Sequence, residues 1–515
     1  MPKKTLDAIS SELRKISSNK SSSGLIYKQG YSLYLNGQCS RLSASEHHFE
    51  FSVNDTYGNY LVKIDTKPGL LSSCTCNASK VCRHRTAALM QLHELIKLDI
   101  DPVPAAGIKY TRDGMIKRVA EERKKKALKA KYSIQYADNI FGEHLLTNER
   151  GVEYMLTFRD LKNQTGYCSC PDYRTNKLGT CKHLMFAFNH FQKNHTLKPT
   201  PPPVYPFIEV YLDPFRDNKI TWYYPDKLYG EVAELFYKYF GNKKYIEDYD
   251  AERLLGFFNT LDKFRQIMVR PEVYDKVKNI SEINALNRAE HENPLDFSKL
   301  KSRLLPYQKE GVQFATFRQG AVIADELGLG KTIQAISTAI FKQEILGFTS
   351  TLIICPGTLK KQWITEIEDF TNENVVLIEG NSEDRKQKYF SKDALFRVVS
   401  YETVLRDKAV VSELDVDFVI LDEAQRLHDY ASKTSSIIKS IQRKHSLVLT
   451  GTPIESELIE LYSIILFVDP ELLTPLWEFS CQHCYFDSQT QNTIVGYYDL
   501  AGLKKKLEPV LIRRQ

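Results

Sequence analysis

The sequence predicts an α/β protein: a parallel-sheet lobe over residues 301–515, preceded by two small α+β cysteine–histidine modules (1–100 and 101–200) and a mixed α/β region (201–300). Short apolar runs of strand length alternate with helical patterns after Leu300, which implies a parallel sheet with helices on both faces. A glycine loop closing on Lys331 and Thr332 follows the first of those runs. Two clusters of three cysteines and one histidine recur in the same local context, an internal repeat.

With 515 residues, 42% of them hydrophobic, the chain has material for several cores. No apolar run reaches the roughly 18 residues needed to span a bilayer, and MPKKTLDAISSELRKISS has no signal-peptide core. No membrane partner is therefore expected, and the expected location is cytoplasmic, nucleoid-associated if the source is bacterial. Leu6, Ile9, Leu13 and Ile16 fall at helical spacing and predict an amphipathic helix. A formal charge of +6 is too mild to argue for nucleic acid by itself. Ten cysteines are too few for a disulfide scaffold of this length, and six of them sit with histidines, which points to metal in a reducing compartment.

Residues 31–71 alternate aromatic or branched side chains with polar ones and are broken by Asn-Gly, Tyr-Gly and Pro-Gly, the pattern of a small antiparallel sheet. This stretch runs into Cys74, Cys76, Cys82 and His84. The same grammar returns with the strand EYMLTF and then Cys168, Cys170, Cys181 and His183. Four soft or borderline ligands with no open position make a structural zinc site, so two zinc ions are expected. Buried cysteines clustered by chance are the plainer account, and duplication in one context argues against it. His47, His48, His190 and His195 read as ordinary surface or packing residues. The order C-x-C, variable loop, C-x-H resembles the SWIM zinc finger, which implies binding of DNA or protein without saying which. Between the clusters, the basic stretch 117–131 with Lys124, Lys125 and Lys126 reads as a solvated helix in preference to a phosphate tracker. KPTPPPVYP at 198–206 is a stiff linker, and the aromatic-rich strands and helices of the following region read as core.

The stretch AVIADELGLGKTIQA places a glycine loop between a strand and a helix. Backbone N–H groups at Gly328 and Gly330 can face an anion at the helix N-terminus, Lys331 can reach the β- and γ-phosphates, and Thr332 can hold magnesium. Asp325 stands where the strict pattern has glycine. Six strands are predicted, AVIAD, STLIICP, VVLIEG, FRVVSY, DFVILDEA and HSLVLTGTP, and the polar motifs follow their carboxyl ends, where such sheets bind ligands. Asp422 can bind magnesium through water and Glu423 can orient or deprotonate the attacking water; capping of the next helix is the bland alternative.

Together these residues resemble the first RecA-like lobe of a Swi/Snf-type ATPase of helicase superfamily two, from about Ser302 to Arg514. LLPYQKEGVQF resembles the Q motif, which implies that Gln308 bonds adenine. LIICPGTLKKQW and VVSYETV resemble motifs Ia and Ib, which implies that Pro356, Thr358, Lys360 and Ser400 neighbour the DNA backbone. DEAQ at 422–425 resembles the DExx box, and LTGTPIESELIELYSIILFVDP motif III, in which Thr450 and Thr452 couple nucleotide state to DNA contacts. Three places depart from the pattern: Leu305 replaces the usual arginine, Gln425 the commoner histidine, and RLHDYASK, with His428 and Asp429, a basic segment. CQHC at 481–484 reads as a packing feature.

The resemblance implies ATP and Mg2+ as cofactors, double-stranded DNA as partner, and DNA-stimulated ATP hydrolysis that drives translocation and remodelling of DNA-bound proteins. It also implies a second lobe bearing arginine fingers, expected from a missing C-terminal part or another chain, without which hydrolysis is absent or very weak. The alternative is a zinc-finger adaptor for DNA or protein whose lobe binds ATP without turnover.

Overall fold

The structure is a computed structural model, described for all residues except 1, 19–21, 36–38, 45–46, 56–57, 77, 79–80, 101–106, 195–203, 327, 425–432, 452–457, 491–492 and 515. It divides into two compact units, Met1–Lys109 with Cys484–Tyr498, and Tyr110–His483 with Asp499–Arg514.

In the first unit the strands Cys39–Ala44, His48–Asp55, Gly58–Asp65 and Leu71–Cys74 form an antiparallel sheet in sequence order. Phe51, Val53, Val62 and Ile64 alternate onto one core with Ala87, Ala88 and Leu92 of the helix Arg83–Ile100. The expected N-terminal helix spans Pro2–Ser18 and buries Ile9 and Ile16. The sheet does not begin at residue 31: Ser22–Leu35 is helical. Tyr27, Tyr31 and Tyr34 are spaced for one helical face, Tyr27 and Tyr31 stack at 6.4 Å, and that packing overrides the strand preference of tyrosine.

In the second unit the plan recurs, with an antiparallel sheet of Ser133–Gln135, His144–Thr147, Glu153–Asp160 and Thr165–Cys168 and a helix Lys182–Asn194. Leu156, Phe158, Leu184 and Phe188 fill its core. The basic stretch is the helix Arg112–Lys129, capped by Thr111, with Lys124, Lys125 and Lys126 exposed. Residues 208–292 form a four-stranded mixed sheet packed by the helices Gly230–Phe240 and Pro271–Glu292 around Phe236, Phe240 and Phe257.

A buried charge network joins this region to the second cysteine module. Glu209, fully buried, accepts from Arg159 Nε at 2.6 Å and Arg270 Nε at 2.5 Å, while Arg270 Nη2 donates to Thr157 at 2.8 Å. Burial opposes its ionisation, but the two guanidinium groups win and hold the Glu209 carboxyl down at about 2. Most of the linker expected at 198–206 falls outside the described residues, and the pieces on either side of it share this network.

The largest sheet among the described residues has seven strands, all parallel, in the order Val375–Leu377, Phe396–Ser400, Thr351–Cys355, Asp415–Asp422, Gln442–Leu449, Gly320–Ile323 and Leu511–Ile512. The first six are the expected ones; the seventh, at the edge beside Gly320–Ile323, was not foreseen. Ile323, Ile353, Val398, Ile420 and Leu449 form the core, packed by the helices Lys331–Leu346 and Lys360–Phe370. Continuous burial of these strands is the signature of a sheet covered on both faces.

Candidate nucleotide site and metal centres

The strand Gly320–Ile323 delivers the chain to the glycine loop, and the helix Lys331–Leu346 begins directly after it. Gly328 and Gly330 have φ of +91° and +69°, left-handed backbone that glycine adopts without strain. The helix therefore starts from a left-handed Gly330 with its first N–H groups unsatisfied within the helix, the arrangement that receives an anion. Thr332 is half-buried in the first turn. Lys331 Nζ donates to the carbonyls of Asp325 at 2.9 Å and Glu326 at 3.1 Å. Burial pushes this ammonium down, while Glu423, Asp325 and Asp422 act to keep it charged.

Gln308 works on the same loop. Its Oε1 accepts from Leu305 N–H at 2.9 Å and its Nε2 donates to the Leu329 carbonyl at 3.2 Å. A Cβ added at Gly330 would lie 2.5 Å from that Nε2, so the close approach requires glycine. Asp325, the apparent departure from the loop pattern, is fully buried and paired with Arg514 at 2.6 Å.

Asp422 ends the strand Asp415–Asp422, at the carboxyl edge of the sheet. Trp363 Nε1 donates to its carboxylate at 2.8 Å, and the Tyr401 hydroxyl donates to its carbonyl at 2.8 Å. Burial raises the Asp422 carboxyl above its ordinary range, with Glu423 adding to the rise and the indole opposing it. Glu423 has φ of +51°, a left-handed conformation that costs a non-glycine residue of order 1–3 kcal/mol. Trp363 and Tyr401 are site residues that the sequence reasoning missed, although both lie inside the quoted motif segments; an indole in the first turn of the helix Lys360–Phe370 and a phenol directly after the strand Phe396–Ser400 are the available signal.

Thr450 is fully buried, and its N–H donates to the Ile323 carbonyl at 3.2 Å, tying the end of Gln442–Leu449 to the start of the glycine loop. Thr452, Gln425, His428 and Asp429 lie outside the described residues. Of the four candidate DNA neighbours, Thr358 alone is exposed. Pro356 is buried, and Lys360 pairs with Glu379 at 3.6 Å. The Ser400 hydroxyl caps the helix Tyr401–Arg406, accepting from Thr403 N–H at 3.3 Å.

Among the described residues, two groups have metal-ligand chemistry in close array: Cys74, Cys76, Cys82 and His84, and Cys168, Cys170, Cys181 and His183, each with ligand atoms within 4.8 Å of one another. Both sets end at a helix start, where Arg85 N–H donates to Cys82 Sγ at 3.4 Å and Leu184 N–H to Cys181 Sγ at 3.4 Å, bonds that favour thiolate. Cys76 is held down at about 6: burial opposes this, but hydrogen bonds from Ala78, His84 and the two neighbouring thiols outweigh it. His84 turns Nδ1 toward Cys74 and hands Nε2 to Asp55 at 2.8 Å, a carboxylate that fixes the ring as an outer partner of a ligand would. His183 is packed against Tyr154 at 4.5 Å, and both its ring nitrogens are buried without a hydrogen-bond partner. A buried imidazole facing three thiols and lacking protein partners fits a metal ligand. By contrast, Cys481 donates to the Tyr110 carbonyl and Cys484 is buried in a strand, as a packing role requires.

A parallel α/β sheet with a phosphate loop and an acidic pair at its carboxyl edge defines a nucleoside-triphosphate-binding lobe. Residues 307–515 match the model of the SNF2-related domain family. Similar curated proteins include the DNA repair and recombination protein RAD54B of Homo sapiens, 35% identical over 191 residues, 34% of this chain and 21% of that protein. The ISWI chromatin-remodeling complex ATPase ISW1 of Saccharomyces cerevisiae is 28% identical over 229 residues, 42% of this chain and 20% of that protein. The uncharacterized ATP-dependent helicase MG018 of Mycoplasma genitalium is 32% identical over 219 residues, 41% of this chain and 20% of that protein. The chain spans about a fifth of the length of these relatives. Among the described residues, no helix is long and apolar enough to cross a membrane.

Proposed function

We propose that this chain carries the first lobe of an ATP-dependent, duplex-DNA-stimulated translocase that remodels DNA-bound proteins. The observation that carries this reading is one of placement: the glycine loop that leads into Lys331 follows the strand Gly320–Ile323, and Asp422 ends the strand Asp415–Asp422 of the same parallel sheet, so both lie at its carboxyl edge. In this reading ATP binds as its magnesium complex, which supplies the charge that draws electrons from the γ-phosphate. Gly328 and Gly330 leave the loop backbone open to the phosphates. Lys331 would turn from the carbonyls of Asp325 and Glu326 to a phosphate oxygen, and Thr332, with Asp422 through water, would hold the magnesium ion. Glu423 accepts a proton from the attacking water, while Thr450 links the loop strand to its neighbour. A second lobe supplies arginines, worth about a thousandfold or more in rate.

The two cysteine–histidine sets hold structural zinc, as SWIM-type modules do, and dock the enzyme on DNA or a protein. The test is ATP hydrolysis by the chain, with and without duplex DNA, alone and with a second lobe added. DNA-stimulated turnover that needs the second lobe supports the reading. Nucleotide binding without turnover in every case would leave a zinc-module adaptor with an inert lobe.

A further inference from the structure

Asp325 breaks the usual glycine pattern of the loop, and its surroundings show what the carboxylate does there. Its Oδ1 accepts from the main-chain N–H of Arg514 at 3.0 Å and from Arg514 Nε at 3.0 Å; its Oδ2 accepts from Arg514 Nη2 at 2.6 Å and from Gln334 Nε2 at 3.1 Å. Arg514 Nη2 also donates to Gln334 Oε1 at 2.7 Å. One residue further along, Glu326 N–H donates to the Arg514 carbonyl at 3.3 Å. Arg514 thus grips the loop at Asp325 and Glu326, the two residues whose carbonyls seat Lys331 Nζ.

The grip is enclosed. A Cβ placed on Gly311 would lie 2.0 Å from Gln334 Oε1 and 2.5 Å from Arg514 Nη2, so the helix Pro306–Thr316 closes over the pair and a methyl group there would push these side-chain ends aside. The Arg514 guanidinium also lies 5.5 Å from the Tyr307 ring centroid. Helix, loop, the Gln334 turn and the strand Leu511–Ile512 meet at one buried carboxylate. A bidentate charge-assisted pair of this kind fixes geometry as well as energy.

We infer that Arg514 is a positioning residue of the nucleotide site: through Asp325 it sets the shape of the phosphate loop and the resting seat of Lys331. This rests on the nucleotide reading above. Without the grip, Asp325 and Glu326 are free to shift, Lys331 loses its defined starting point, and phosphate binding must order the loop from a broader ensemble.

The test is calorimetric titration of the full chain with magnesium ATPγS. Arg514→Gln is expected to weaken binding about tenfold and Arg514→Lys, which keeps the charge but not the fork, by less. Asp325→Asn should match Arg514→Gln, and the double variant should bind no more weakly than either single variant, because both remove one interaction. Gly311→Ala guards against misfolding of the charge variants: alanine favours its helix, so weakened binding there reports the displaced pair alone. Unchanged affinity in Arg514→Gln and Gly311→Ala, with wild type binding and Lys331→Ala not, overturns the inference. If wild type binds no better than Lys331→Ala, the nucleotide reading itself fails.

Discussion

The indole Nε1 of Trp363 donates a 2.8 Å hydrogen bond to Oδ2 of Asp422, and both side chains are buried. A carboxylate that burial pushes toward neutrality is thereby supplied with a donor that favours its charged form, the form a magnesium site needs. Trp363→Phe keeps an aromatic ring and loses the donor. In the two-lobed protein, hydrolysis at limiting magnesium should fall by about 10–100-fold, the usual effect of removing an outer partner, and recover in part as magnesium is raised. An unchanged magnesium dependence would reduce Trp363 to packing.

For the metal centres, elemental analysis should find about two zinc ions per chain, one from each four-ligand set. His183→Ala should leave about one. Asp55→Asn should weaken the first site by about 10–100-fold in competition with a chelator, since Asp55 fixes the His84 ring. A folded, metal-free protein would contradict the assignment.

These two sites differ in how far the sequence revealed them. Cysteine and histidine spacing picked out all eight residues that the fold gathers into the two groups, because ligand chemistry is local and the turn that presents it is short. Asp55, 29 positions before His84, was invisible, since only strand pairing brings it near. The six core strands were legible from continuous apolar runs, whereas Leu511–Ile512 was missed: two apolar residues at a sheet edge carry no periodic signal. Asp325 looked like a flaw in the loop because its partner Arg514 stands 189 positions away. Similarly, residues 31–35 read as strand although they end the helix Ser22–Leu35, because tyrosine favours strands until its three- and four-residue spacing is counted.

Glu209 sits between Arg159 and Arg270 with no exposure. Glu209→Ala leaves the buried Arg159 without its counter-charge and Arg270 with Glu143 alone, and should cost about 3–5 kcal/mol, seen as a lower urea midpoint for the unit of residues 110–483 and 499–514. A loss below about 1 kcal/mol would mean that water reaches the arginines and replaces the carboxylate.

His445 is buried beside Lys342, whose Nζ donates to its Nδ1 at 2.7 Å. Burial, then the charges of Lys342 and Lys444, push the imidazole down to about 2. The folded value lies below the unfolded one, so the unfolded chain takes up the proton first. Stability is full above about pH 6.5 and falls by about 1.4 kcal/mol for each pH unit below it. His445→Gln should flatten that slope in urea melts run between about pH 5 and 7. An identical slope would place the titration elsewhere.

In the proposed mechanism Glu423 activates water for ATP hydrolysis beside Lys331 and Asp422. DNA-stimulated hydrolysis by the two-lobed protein, compared between wild type and Glu423→Gln with nucleotide affinity measured alongside, tests it directly. The account predicts that turnover is abolished while magnesium-ATP binding is kept. Turnover equal to wild type in Glu423→Gln would contradict it.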